Sequence, residues 1–214
     1  DWTNNGTLAP RLSTVLFDSG LTQAVDANGA SGAFHDVTVS GSTTITATGT
    51  AFHVAGGGTL TIAAATDVAD MTDRDFSIAT LANSGTLRLD GTQTTQNIGA
   101  TSPAPPTAGS VVYYAGAANG NIRIPTATPI FDLEINATGR TIFLANDLRL
   151  YGGITLTAGT LDGNGQVLTL AGDFNGGAGG TFAHGNGTVS FFGQDIQAVS
   201  VVSGSNTFYD LEAD

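Results

Sequence analysis

The strongest constraint on this chain is that it repeats itself. Shifted by 174 residues without a gap, residues 6–40 fall on residues 180–214 with twelve identities in thirty-five pairs. Gly6/Gly180, Thr7/Thr181, Thr14/Thr188, Val15/Val189, Phe17/Phe191, Gln23/Gln197, Ala24/Ala198, Val25/Val199, Phe34/Phe208 and Asp36/Asp210 are among them. A composition this biased would give about three by chance. A weaker copy sits at an offset of 96, within residues 109–135: Thr14–Phe17 falls on Ser110–Tyr113, and Phe34–Val37 on Ile130–Leu133. The cassette is a hydrophobic strand, about fifteen polar and Gly-rich residues, and an aromatic-x-Asp-[Leu/Val] strand. Its marker positions are Val15, Phe17, Phe34 and Asp36, then Val111, Tyr113, Ile130 and Asp132, then Val189, Phe191, Phe208 and Asp210.

Between the cassettes the pattern has period two. Thr44-Ile45-Thr46, Thr59-Leu60-Thr61-Ile62, Leu87-Arg88-Leu89, Leu148-Arg149-Leu150, Ile154-Thr155-Leu156 and Val167-Leu168-Thr169-Leu170 alternate apolar with polar residues, as strands with one buried face do. Gly56-Gly57-Gly58, Gly152-Gly153, Asp162-Gly163-Asn164-Gly165 and Gly176-Gly177 punctuate them as corners. The best helical stretch, Val68–Ile78, is expected to give one short turn. Ser102-Pro103-Ala104-Pro105-Pro106-Thr107 has no place in a central strand and reads as a loop bulging from the stack.

The expected fold is all-β: a right-handed parallel β-helix (β-solenoid) with irregular coils, one continuous domain over residues 1–214. The alternative is a series of tandem small β-sandwiches. The abrupt start at Asp1-Trp2 and stop at Glu212-Ala213-Asp214 suggest a mature form or a window of something longer.

Composition narrows the partners. Only 11% of residues are charged, the six basic residues are all Arg, and the net charge is −12. That argues against nucleic acid and anionic membrane surfaces, both of which require clustered cations. There is no Cys, which excludes disulfides and thiolate metal sites. No apolar run is long enough to span a bilayer as a helix.

At Gly152–Leu161, Val167–Phe174, Asn186–Phe191 and Phe208–Leu211 the chain resembles the coils of large secreted bacterial β-solenoid proteins, filamentous-haemagglutinin-like adhesins and related surface proteins among them. The resemblance covers most of the chain and rests on Gly-, Thr- and Leu-rich coils. It implies a parallel β-helix, secreted or at the cell surface, serving adhesion or filament building, and transfers no catalytic residue.

The chain offers few groups suited to catalysis and is expected not to be an enzyme. His35, His53 and His184 are isolated in sequence and have no metal-ligand spacing, and His35 falls where the matched copies carry Phe131 and Tyr209. Asp67, Asp70, Asp73 and Asp75 form the densest acidic cluster, a calcium candidate weighed against a solvated loop. Asp162-Gly163-Asn164-Gly165 begins like a calcium loop but lacks the closing Glu. Asp36, Asp132 and Asp210 recur in every cassette and so are expected to bond backbone N–H groups rather than act as the catalytic carboxylate pair of a polysaccharide-degrading β-helix enzyme, which stands as a lesser alternative. Alternating threonines from Thr44 to Thr50 raise an ice-binding alternative, and Tyr113, Tyr114, Tyr151 and Phe192, if exposed, a carbohydrate-binding one. Three sequons, at Asn5, Asn136 and Asn186, would permit glycosylation. The leading expectation is a structural stalk, adhesin or filament subunit whose coils stack end to end, with itself as principal partner, in a longer tandem chain or head to tail.

Overall fold

The computed structural model describes residues 1–4, 9, 11–27, 33–177, 179–202, 204 and 206–213. Gly6, Thr7 and Leu8 of the repeat, and the Asn5 sequon, lie outside them. The described residues hold strands and no helix, and the strand pairings are parallel. The chain is a β-solenoid of about nine turns.

The longest run of strand pairing comprises β1 (Trp2–Thr3), β3 (Thr22–Asp26), β5 (Thr44–Ala47), β7 (Val68–Asp70), β9 (Thr86–Leu89), β11 (Ser110–Tyr114), β13 (Asp132–Leu144), β15 (Ile154–Asp162), β17 (Phe174–Asn175) and β20 (Val199–Ser200). A second sheet holds β2 (Thr14–Phe17), β4 (Asp36–Val39), β6 (Ala51–Ile62), β8 (Asp75–Asn83) and β10 (Gln96–Thr101). A third holds β14 (Leu148–Leu150), β16 (Val167–Leu170), β19 (Thr188–Phe191) and β21 (Asp210–Ala213). β12 (Gly120–Ile122) and β18 (Thr181–Ala183) pair with the C-terminal halves of β13 and β15. The long strands therefore run along one rung and bend into the next face of the same coil.

One inward row shows the logic. Gln23, Ile45, Ala69, Leu87, Val111, Leu133, Ile154, Phe174 and Val199 pair in succession. Eight steps carry Gln23 to Val199, so a coil averages 22 residues. The period-two alternation turns these apolar residues inward, and stacking removes them from water. The members from Ile45 to Phe174 are all essentially inaccessible. Full burial of a Leu or Ile contributes about 1.5–3 kcal/mol. Aromatic clusters fill the core towards both ends: Trp2, Phe34 and Phe52 at one, Phe174, Phe182 and Phe208 at the other.

The cassette is one coil. Its two strands are hydrogen-bonded neighbours in all three copies, Thr14 beside Asp36, Ser110 beside Asp132 and Thr188 beside Asp210. The middle copy lies in a different sheet from the first, so the 96-residue offset also carries the motif onto another face.

Two expectations are corrected. Tandem sandwiches would need antiparallel sheets, and the pairing is parallel throughout this stack. Val68–Ile78 forms no helical turn but β7, a tight turn and the start of β8. Ala69, Met71, Phe76 and Ile78 all face the core, and lateral pairing to β5, β9 and β6 satisfies the backbone. The proline segment does bulge outward, where the stack is interrupted between β10 and Ile130. Side chains bridge that break. Gln96 donates to Asn121 O (2.7 Å) and accepts from Arg123 N (3.0 Å), and Thr128 Oγ1 donates to Ile98 O (2.6 Å).

Candidate functional site

The acidic residues are where chemistry would be sought, and most of them fasten one coil to the next. Asp36 Oδ1 accepts from Thr59 N at 2.9 Å and Asp132 Oδ1 from Gly153 N at 2.8 Å, each one coil ahead. Asp147 does the same for Val167 N, and Asp173 for Ala198 N. Gly153, Val167 and Ala198 lie where the next strand begins, and Thr59 lies just past the register shift inside β6, where its second half resumes pairing. Burial acts to raise the Asp36 carboxyl, but the His35 imidazole (Nδ1 to Oδ2, 3.0 Å) and the Thr59 N–H outweigh it and leave it lowered. At Asp132 burial prevails over the Gly153 N–H, and the carboxyl is raised.

The four aspartates of the calcium candidate are separated. Asp67 is fully buried, not solvated, and accepts from Thr43 N (3.0 Å) and Ala64 N (2.9 Å). Asp75 turns to the following coil and accepts from Thr94 N (2.7 Å), Thr94 Oγ1 (2.7 Å) and Thr95 N (3.0 Å). Asp70 and Asp73 share a surface groove with Arg88, Asp90 and Tyr114. The described residues contain no group of three or more His, Asp or Glu side chains placed to hold a metal ion.

That groove contains a pairing hidden from the sequence. Asp73 lies against Asp90, whose carboxyl raises its pKa, first by hydrogen bonding and then by charge. Asp90 is itself buried and accepts from Thr92 N (3.1 Å) and Thr92 Oγ1 (2.9 Å). Arg88 lies 4.0 Å from Asp70 and 5.4 Å over the Tyr114 ring. The two carboxylates are seventeen residues apart in sequence and only coil stacking brings them together.

The aromatic candidates divide. Tyr113 is fully buried, which removes it from any exposed binding surface, and its hydroxyl donates to Gln96 Oε1 at 2.7 Å. Tyr151 and Phe192 meet edge-on at 5.5 Å, with Arg149 over both rings, 3.9 Å from that of Phe192 and 5.3 Å from that of Tyr151. No flat threonine array forms on the outward row. Thr44 pairs with Val68, and Thr46 with Asp70, which is followed by Arg88, Val112 and Glu134. His184 stacks on Tyr209 at 5.6 Å, while His53 lies on β6 and its imidazole is lowered by burial against the opposing charge of Asp75.

The remaining surface of note is the last coil. Ile196, Val199, Val201, Val202, Tyr209 and Leu211 are all exposed, and a shallow cavity lies among Phe191, Gln197, Val199, Leu211 and Ala213. Among the described residues β20 and β21 each pair on one side only. Leu12, Leu16 and Leu21 are exposed near the other end.

These features define the class as a β-solenoid whose polar groups serve mainly to join its coils. No protein-family model matches the chain, and searches of curated proteins and of solved structures found no significant match.

Proposed function

We propose that this chain is a structural repeat protein of the cell exterior, part of a stalk, adhesin or filament, and that it catalyses no reaction. The observation that carries this reading is the use of its carboxylates. Asp36, Asp67, Asp75, Asp132, Asp147 and Asp173 each accept backbone N–H groups, in every case at least one from an adjacent coil, and so act as fasteners of a rod. A rod held this way transmits force and spaces its ends, which is the work of a stalk. The net charge of −12 supports a partner other than nucleic acid. Electron microscopy of the purified protein tests the reading together with surface labelling of the producing cells. Rods or fibres and surface exposure are expected. Compact particles retained inside the cell would overturn it.

A second reading has one specific observation in its favour. Arg149, Tyr151 and Phe192 gather on one outer edge from two coils, and aromatic rings beside a cation suit the apolar faces and hydroxyls of a sugar. Glycan-array binding that disappears in Tyr151→Ala would favour a carbohydrate-binding module on the same scaffold.

A further inference from the structure

The internal repeat discloses what belongs on the exposed end coil. Residues 14–39 and 188–213 are equivalent by the 174-residue match, yet several of their described members differ in burial. Val25 is 1% and Val37 0% exposed, whereas their counterparts Val199 and Leu211 are 42% and 54% exposed. Phe34 is fully buried, packed on Phe52 of the following coil at 5.6 Å, while its counterpart Phe208 is only partly buried. The difference is made by residues 40–63. They supply β5 and the C-terminal half of β6 as pairing partners, and backbone N–H groups from Thr48 to Val25 O, Ala55 to Phe34 O and Ala63 to Val39 O. Thr59 N also donates to Asp36 Oδ1, and Asp210 occupies the equivalent position.

We infer that the surface formed by Val199, Phe208, Asp210 and Leu211 is a docking site for a coil of the residue 40–63 type, supplied by a second 174-residue unit continuing the same polypeptide. The inference rests on the structural reading above and names the contact by which such a rod grows. Two observations favour covalent continuation over a separate molecule. A separate copy would offer its first coil, with β2 at its end, and the repeat counterpart of β2 is β19, which already lies beneath β21 rather than covering it. Two free chains would also each bring a charge of −12 to the contact and lose their independent motion, a cost that a covalent junction avoids.

The test is a tandem protein in which residues 40–213 follow Ala213, compared with the single chain by hydrogen exchange and electron microscopy. Exchange of the Asp210–Ala213 amides is expected to slow by at least about tenfold, and the rod to lengthen by roughly 38 Å, eight coils at the usual inter-strand spacing. A tandem whose second unit begins half a coil late, at Ala51, should give neither effect. Two separately melting halves with unprotected Asp210–Ala213 amides would overturn the inference, as would equal protection in both tandems. Protection of these amides in the concentrated single chain, with no gain in the tandem, would assign the site to another molecule's first coil and equally overturn it. If the full tandem does not fold, the single chain extended after Ala213 only by residues 40–63 reads the same amides. Fibres that form while these amides stay open would sink this contact and leave the filament reading standing. A continuous tandem rod from a protein never found at the cell surface would do the reverse.

Discussion

At the scale of single residues, the recurrent motif is a carboxylate that accepts backbone N–H groups from the neighbouring coil. Asp67 is the most deeply committed, with no exposure and two backbone donors. Asp67→Ala would orphan both, so unfolding in denaturant should show a loss of about 2–5 kcal/mol, with Asp67→Asn milder because Oδ1 survives. Two carboxyls should move stability with pH in opposite directions. At Asp75 burial works upward, but three hydrogen bonds from Thr94 and Thr95 prevail and the pKa is lowered. Its contribution is full above the ordinary carboxyl value and is lost as pH falls through the folded one. The stability gap between the parent and Asp75→Asn should therefore close as pH falls from the ordinary carboxyl range through the lower folded value. Asp73 is raised by Asp90, so its ionised form disfavours the fold. Asp73→Asn should be more stable than the parent at neutral pH, and that advantage should vanish as pH falls below the raised value. Denaturation midpoints across pH, measured for both variants, check both signs.

At the scale of elements, the long strands turn corners, and the corners depend on backbone geometry. β13 and β15 slip register between their halves. Gly159 sits at that point of β15 with φ +80°, and an added Cβ would come 2.1 Å from Ala137 O. Gly139 has a similar φ of +70° and open space around it. Gly139→Ala should cost only the left-handed strain, about 1 kcal/mol. Gly159→Ala should cost roughly 2–4 kcal/mol, because the facing backbone must also move. Thermal melts of the pair separate strain from close approach. Equal losses would show that the corner is not tightly packed. The alternation Ile154-Thr155-Leu156 made the start of this strand legible, whereas Gly159 was not among the corner glycines that the sequence marked. That the chain bends there while staying in one strand depends on Ala137, a whole coil away.

At the scale of the molecule, each coil leans only on its neighbours, so stability should fall from the middle towards the ends. Val111 lies mid-stack with 1% exposure, while Leu211 on the last coil is 54% exposed. Val111→Ala should cost about 2–3 kcal/mol and Leu211→Ala little, with hydrogen exchange fastest in β20 and β21. Uniform protection along the chain would contradict this nearest-neighbour picture. Between β10 and Ile130 only one face is interrupted, since β9, β11 and β13 stay paired, and on that face Gln96 and Thr128 join the coils. Gln96→Ala, which strips Tyr113 Oη, Arg123 N and Asn121 O of their partner, should lower the melting temperature of the whole stack in one transition, which calorimetry checks.

The sequence by itself determined the class of fold. Period-two alternation, glycine corners and a self-match at 174 residues are local or translational signals, and parallel stacking is the architecture that satisfies all three. It also marked Asp36 and Asp132 as scaffold positions, because an aspartate repeated in each cassette opens a strand each time, β4 and β13 here. Tertiary structure alone decided which residues meet across coils. Coil lengths vary with each corner, so partners fall at no fixed spacing that a sequence could advertise. Hence Asp73 beside Asp90, Arg149 over Phe192, and Tyr113 buried against Gln96 could not be read in advance. The 22-residue coil was present inside every cassette, as the distance from Thr14 to Asp36, but only the hydrogen bonds between those strands identify it as one turn of the stack.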